Sequence, residues 1–180
     1  MDSASQILDI AERRMRLAGY NAVSYRDVAA EMGIKSASLH YHFPKKVDLG
    51  VALVRRYSQV FWSRLSEETD DLSEPHDMIE SFVGIYRHAL KEQQLVCLCA
   101  VLGAEAPGLP EAVTAEVKAF FEMNIEWLKE YYKAMGEARP EAKAKTTLAL
   151  LEGAMIISSV QGDNSVFDAA AMVVEASSET

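Results

Sequence analysis

Residues 24–49 read SYRDVAAEMGIKSASLHYHFPKKVDL, and the spacing within them decides the fold. Ser24 is a good N-cap, and Asp27 three residues later completes a capping box. Val28, Ala29 and Met32 recur at i, i+1 and i+4, one apolar face of a short helix. Gly33 falls where a helix needs a left-handed C-terminal residue, and Ile34 is expected to return the chain to the core. Ser36 can cap a second short helix, in which Leu39 and Phe43, four apart, point inward. Ser36, Ser38, His40 and Tyr41 are then left outside. A short helix, a glycine turn and a second helix with a polar, aromatic outer face is the helix-turn-helix pattern, which lays its second helix in the major groove of DNA.

Working outward, Ile7, Ile10, Ala11, Arg14, Met15 and Ala18 mark the inner stripe of a first helix, from Ser5 to Leu17, ended by Gly19. Pro44 opens a long fourth helix with Leu49, Ala52, Leu53, Tyr57 and Val60 on one face. It is expected to reach Thr69, where DDLSEPHD reads as a loop. Further helices are expected over 76–92, over 95–106 (apolar nearly all round), over 111–135, over 141–161 and over 164–177. PGLP at 107–110 and the stretch from Gly136 to Pro140 break the chain between them. No alternating run of Val, Ile and Thr suggests a strand. The expected fold is all-α: about nine helices, with a three-helix helix-turn-helix domain at 1–50 and a helical body at 51–180.

The chain has 180 residues, 49% of them hydrophobic and 25% charged, enough apolar material for a real core. A net charge of −9 looks unsuited to nucleic acid, but its distribution removes the objection. Residues 1–57 carry nine Lys and Arg against six Asp and Glu, and the remainder carries nine against twenty-one. A basic end attached to an acidic body repels DNA everywhere but at that end and helps to orient docking. The longest apolar runs, 95–104 and 146–160, the latter interrupted by Glu152, fall short of the ~20 residues that span a bilayer. The N-terminus MDSASQILDIAERRM has no basic-then-apolar leader, so a cytoplasmic protein with no membrane partner is expected. No catalytic triad, metal-ligand spacing or phosphate-cradling glycine loop is present, so neither an enzyme nor a cofactor is expected. His40 and His42, two apart, face away from each other on a helix and make no metal pair; His42 is read as structural.

The run GIKSASLHYHFPKKVDL, residues 33–49, resembles the recognition-helix signature of the TetR-type (tetracycline-repressor) family of bacterial transcriptional regulators. The match covers residues 5–55. It rests on the small residue before Leu39, the His42–Phe43 pair, Pro44, and Lys46 followed three residues on by Leu49. One position departs: His40 stands where the family most often has Tyr, another hydrogen-bonding ring. The resemblance implies a homodimeric repressor that binds double-stranded operator DNA and answers a small-molecule effector. It also implies that Ser38, His40 and Tyr41 contact bases or phosphates. Lys46 sits where a helix N-terminus offers free N–H groups beside a lysine, a natural phosphate clamp. The same holds for Arg26 at the second helix and for Lys35 and Ser36 at the third.

For the body, the resemblance implies a cavity between the fourth and eighth helices. Its expected walls are Phe61 from the fourth, Phe82 and Tyr86 from the fifth, and Leu98 and Leu102 from the sixth. Phe120, Met123 and Trp127 would come from the seventh and Met155 from the eighth. Most of these side chains must serve core packing, yet adaptable Met and aromatic walls also suit a small molecule. No cluster of basic residues lies in the fifth to eighth helices, which disfavours an anion, and the effector is expected to be uncharged and mostly apolar. The eighth helix is apolar around most of its girth, and the ninth adds further apolar residues. Leu150, Ala154 and Ile157, with Phe167, Ala170 and Val174, are expected to form a four-helix interface with a second copy. Cys97 and Cys99, about 200° apart on a helix, make neither a disulfide framework nor a zinc site. Core packing is the expected role for both. The alternative is that one is a sensor thiol for oxidants or electrophiles, which needs exposure and a lowered pKa.

Overall fold

A computed structural model of the chain describes residues 3–177. Among these residues there are nine α-helices and no strand. They are α1 (Ser3–Ala18), α2 (Tyr25–Met32), α3 (Ser36–His42), α4 (Lys46–Thr69), α5 (Pro75–Lys91), α6 (Leu98–Ala104), α7 (Glu111–Ala134), α8 (Pro140–Gln161) and α9 (Ser165–Ala176). Single 3₁₀ turns follow α1 at Tyr20–Ala22 and α6 at Ala106–Gly108. The all-α expectation and the helix count hold.

The helix-turn-helix closes by local chemistry. Ser24 has extended dihedrals, and its hydroxyl oxygen accepts the Asp27 N–H at 3.2 Å. In return the Ser24 hydroxyl donates to the Asp27 carboxylate at 2.6 Å. That bond is the main reason the Asp27 carboxyl titrates below its ordinary value. Gly33 adopts the left-handed conformation, φ 68°. Its N–H returns to Ala30 O and the Ile34 N–H to Ala29 O, which is the full Schellman pairing. Two expectations fail here. Ile34 gives its backbone to that closure while its side chain stays partly exposed. Lys35, not Ser36, occupies the N-cap of α3, with no side-chain cap, because the Ser38 N–H is already taken by the Lys35 carbonyl at 2.9 Å. Ala18, expected on the inner stripe of α1, is exposed at the helix end, whereas Ile7, Ala11 and Met15 are wholly buried.

The sixth helix is shorter than expected, because the backbone before it has tertiary partners. The Leu95 N–H donates to Ala89 O at 3.2 Å and the Cys97 N–H to the Met155 sulfur at 3.2 Å. Helix formation therefore starts at Leu98.

The chain forms two compact units. One holds the residues up to Gln59 together with Leu98–Ala119; the other holds Val60–Cys97 and Phe120 onward. The first unit thus contains α1–α3, the first half of α4, α6 and the start of α7. Within it α6 packs on α1. Arg56 of α4 reaches Asp9 at 2.7 Å and Glu12 at 3.0 Å on α1, and Arg55 reaches Glu116 at the start of α7. In the second unit α9 packs on α8 and both pack on α5. Arg87 and Lys91 of α5 pair with Glu175 and Asp168 of α9 at 2.6 and 2.8 Å, while Tyr132 and Thr147 share a buried hydrogen bond at 2.7 Å.

Gly19 carries the turn out of α1. Its φ of 82° and ψ of 175° belong to a region that only glycine occupies without strain. A Cβ there would sit 1.8 Å from a carboxylate oxygen of Glu105, the group that accepts the Tyr20 N–H at 2.9 Å. Gly19→Ala is expected to lower unfolding stability by about 1–3 kcal/mol from backbone strain alone. Loss of the Glu105 bond adds to this. Denaturant unfolding of the variant against wild type measures it.

Candidate nucleic-acid interface

The outer face of α3 is the best-defined surface in the N-terminal unit. Leu39 is fully buried, and Phe43, just past the helix, is nearly so. The opposite side therefore points to solvent: Ser38, His40 and Tyr41 are exposed, Tyr41 by 84%. An exposed tyrosine of that extent has no packing role to explain it. Ser36 is half-buried and Lys35 exposed at the helix start, and the Arg26 side chain is 88% exposed.

His40 is less free than its exposure suggests. Its ring lies 4.6 Å from that of Tyr25, and its Nδ1 is 3.2 Å from the Pro44 carbonyl oxygen. A carbonyl can only accept, so Nδ1 carries the hydrogen of this contact. Tyr25 is the residue that sequence reasoning missed. Its hydroxyl donates to Phe43 O at 2.7 Å, clamping the start of α2 to the turn between α3 and α4. Burial, then the Asp48 carboxylate and Tyr20, push its pKa to about 12, so it stays a donor at every physiological pH. Its position directly after the Ser24 cap was the only available signal. His42 makes ring contacts with Tyr41 and Phe43, as a structural histidine should.

Lys46 opens α4, where the Asp48 carboxylate accepts the Lys45 N–H at 2.8 Å. The Lys46 ammonium lies 4.5 Å over the Tyr20 ring. Burial pulls its pKa down and the nearby Glu105 carboxylate pulls it back up. It is a half-buried, oriented cation rather than a loose surface lysine.

In the second unit the expected aromatic residues do meet. Phe61 lies edge-on to Phe82, Tyr86 and Phe120 with centroids 5.3–5.7 Å apart, and Phe82 stacks on Trp127 at 5.4 Å. Met155 is buried, whereas Met123 is 49% exposed and so points away from that interior. Leu98 and Leu102 are fully buried in the first unit. Sequence reasoning also missed the polar groups inside. Glu152 of α8 is only 8% exposed, and neither carboxylate oxygen has a hydrogen-bond partner; nor do the buried Trp62 Nε1 and Asn124 Oδ1. Burial, then the facing Cys97 thiol, holds the Glu152 carboxyl well above its ordinary range.

Cys97 and Cys99 are buried and form no disulfide. With exposures of 1% and 0%, neither thiol is open to an oxidant, which removes the support for a thiol sensor. His76, Asp77 and Glu80 bring ligand-type atoms within 4.8 Å of one another at the start of α5. They lie at the surface, and His76 already faces Glu80 at 3.1 Å. No helix among the described residues is long and apolar enough to cross a membrane.

The expected contact face on α8 and α9 needs correcting. Ala154, Phe167, Ala170 and Val174 are buried within the protomer, since α9 turns that stripe toward α8 and α5. The apolar side chains that reach solvent are Leu150, Ile156, Ile157 and Val160 on α8, with Met172 and Val173 on α9.

A sequence-family model described as bacterial regulatory proteins, tetR family, matches residues 7–53. The fold superposes on a tetR-family transcriptional regulator from Agrobacterium tumefaciens with a TM-score of 0.90 and 32% identity, over 96% of this chain and 95% of that one. A TetR transcriptional regulator from Legionella pneumophila gives a TM-score of 0.93 at 29% identity, over 98% and 97%. The HTH-type transcriptional regulator LmrA of Bacillus subtilis is 24% identical over 172 residues, 87% of this chain and 86% of its own length.

The raised Glu152 pKa fixes the sign of a pH effect. The folded state holds a proton that the unfolded chain releases above its ordinary value of 4.5. The Glu152 contribution is therefore most favourable below that pH and is lost as pH rises toward the folded value. Glu152→Gln is expected to raise the melting temperature at pH 8, with the gain shrinking toward pH 5. Thermal melts of both proteins across that range check it.

Proposed function

This chain belongs to the tetR family of bacterial regulatory proteins, DNA-binding transcriptional regulators, and we propose that it is a repressor released from its operator by a mostly apolar small molecule. The observation that carries the DNA half is the outer face of α3, where Ser38, His40 and Tyr41 stand exposed over a buried Leu39. Base edges in the major groove are read by such side chains, while Arg26, Lys35, Ser36 and Lys46 hold phosphates. Residues 1–50 act as the DNA-binding domain and 51–180 as the ligand-binding and dimerisation domain. The protein works as a homodimer in the cytoplasm, where its DNA is, and has no catalytic role. Two heads so joined meet half-sites about one DNA turn apart, ~34–36 Å.

The effector reading is supported by the ring cluster of Phe61, Phe82, Tyr86, Phe120 and Trp127. The lack of basic residues that led to an uncharged effector argues only against an anion. The effector must bind the released form better, since equal affinity for both forms shifts nothing. Its signal has two elements to use. One is α4, which continues from one compact unit into the other. The other is α6, whose end holds Glu105 against the turn after α1. The dimer reading is supported by the exposed apolar stripe of Ile157, Val160, Met172 and Val173.

An operator obtained by selection from random duplexes gives the test. Lys46→Ala is expected to weaken binding to all duplexes alike and to lower the salt slope by about one. Tyr41→Ala is expected to weaken the selected operator by about 1–3 kcal/mol more than random DNA if it reads a base. Unchanged affinity and slope for the Lys46 variant would overturn the clamp.

Ile157→Arg is expected to split the dimer, because an unpaired charge in an apolar interface costs roughly 3–5 kcal/mol by analogy with broken buried pairs. Operator binding should fall with it. Sedimentation velocity at micromolar concentration reads the first outcome, and a wild-type monomer there would sink the dimer reading.

A further inference from the structure

A carboxylate inside an apolar unit is costly unless something pairs with it. Glu152 lies on α8 with both oxygens buried and unbonded, and its polar neighbours are the Tyr86 hydroxyl and the Cys97 thiol, neither of them a cation. The Arg87 and Lys91 side chains on α5 are committed to Glu175 and Asp168 of α9. Tyr86 links Glu152 to the rings: its own ring is 5.4 Å from Phe82 and 5.7 Å from Phe61, and Phe82 stacks on Trp127. Two more buried polar atoms without partners, Trp62 Nε1 and Asn124 Oδ1, belong to residues beside the same rings. Trp62 contacts Phe61, and Asn124 donates to the Phe120 carbonyl.

Aromatic faces carry negative potential and attract a desolvated cation. A lone carboxylate beside them adds the full counter-charge. Among the described residues, the groups that face Glu152 are the Cys97 thiol and the Tyr86 hydroxyl, so a cation entering from outside supplies the complement to its ionised form. We propose that Glu152 is the charge-reading residue of an effector site in the second unit, which takes an amphipathic organic cation. Its ammonium pairs with the carboxylate, and its apolar part lies against Phe61, Phe82 and Tyr86. The inference rests on the effector reading above and replaces an uncharged ligand with a singly charged one. Binding drives the carboxyl to its ionised form, so a proton leaves Glu152 for solvent as the cation enters.

The test uses the full-length protein and three probes of similar size. Benzyltrimethylammonium is the cation, neopentylbenzene its uncharged isostere, and N,N-dimethylphenylacetamide a neutral acceptor that a protonated Glu152 could hydrogen-bond. Tryptophan fluorescence reads binding, and calorimetry in buffers of different ionisation enthalpy reads proton release. The cation is expected to bind at least about tenfold tighter than the isostere, with proton release at pH 7. Glu152→Gln, nearly isosteric with the protonated acid, is expected to remove that preference and the proton release while leaving neopentylbenzene within about twofold. Equal binding of cation and isostere, tightest binding by the amide, or a cation preference that survives in Glu152→Gln would each overturn the proposal. A gel shift on the selected operator separates the two readings. Glu152-dependent cation binding that leaves the operator complex intact upholds the site and sinks the effector role beneath it.

Discussion

One acid ties the turn after α1 to the end of α6. The Glu105 carboxylate accepts the Tyr20 N–H across 85 residues of sequence, and it can approach only because Gly19 has no Cβ. The Tyr20 ring then carries the Lys46 ammonium at 4.5 Å, and Lys46 is the first residue of α4. The end of α6, the turn after α1 and the start of α4 thus share one electrostatic junction. Glu105 attracts the same ammonium, so its position bears on both partners. Separately, Tyr25 ties the start of α2 to Phe43 and, through its ring, to His40.

The recognition helix needs that support. Seven residues make too few hydrogen bonds to offset helix nucleation in water, and α3 has no side-chain cap. Its stability comes from Leu39 below it, the Tyr25 clamp at its end and the Schellman turn before it. The outer residues are then released from structural duty. His40 is the exception, since its Nδ1 serves the Pro44 carbonyl.

The body shows the opposite compromise. Its aromatic cluster and the α5–α9 ion pairs stabilise it, while Glu152, Trp62 and Asn124 leave polar atoms unmatched inside. Each unmatched group costs on the order of 1–3 kcal/mol. A unit optimised for stability alone would have replaced them with apolar side chains of the same shape.

The helices, the helix-turn-helix and its Gly33 turn were legible in the residues because their bonds close within about five positions and repeat every 3.6. Ser24, Asp27, Gly33, Leu39 and Phe43 could be assigned from spacing alone, and so could the outward face of Ser38 and Tyr41. What spacing could not decide depends on partners far along the chain. Glu105 against Tyr20 and Tyr25 against Phe43 are hydrogen bonds over 85 and 18 residues. The stripe of Phe167, Ala170 and Val174 is apolar on either reading; only packing of α9 on α8 and α5 turned it inward and left Ile157 and Val160 outside. Glu152 read in sequence as an interruption of an apolar run. Its burial without a partner is a property of what surrounds it, and only the tertiary structure supplies that.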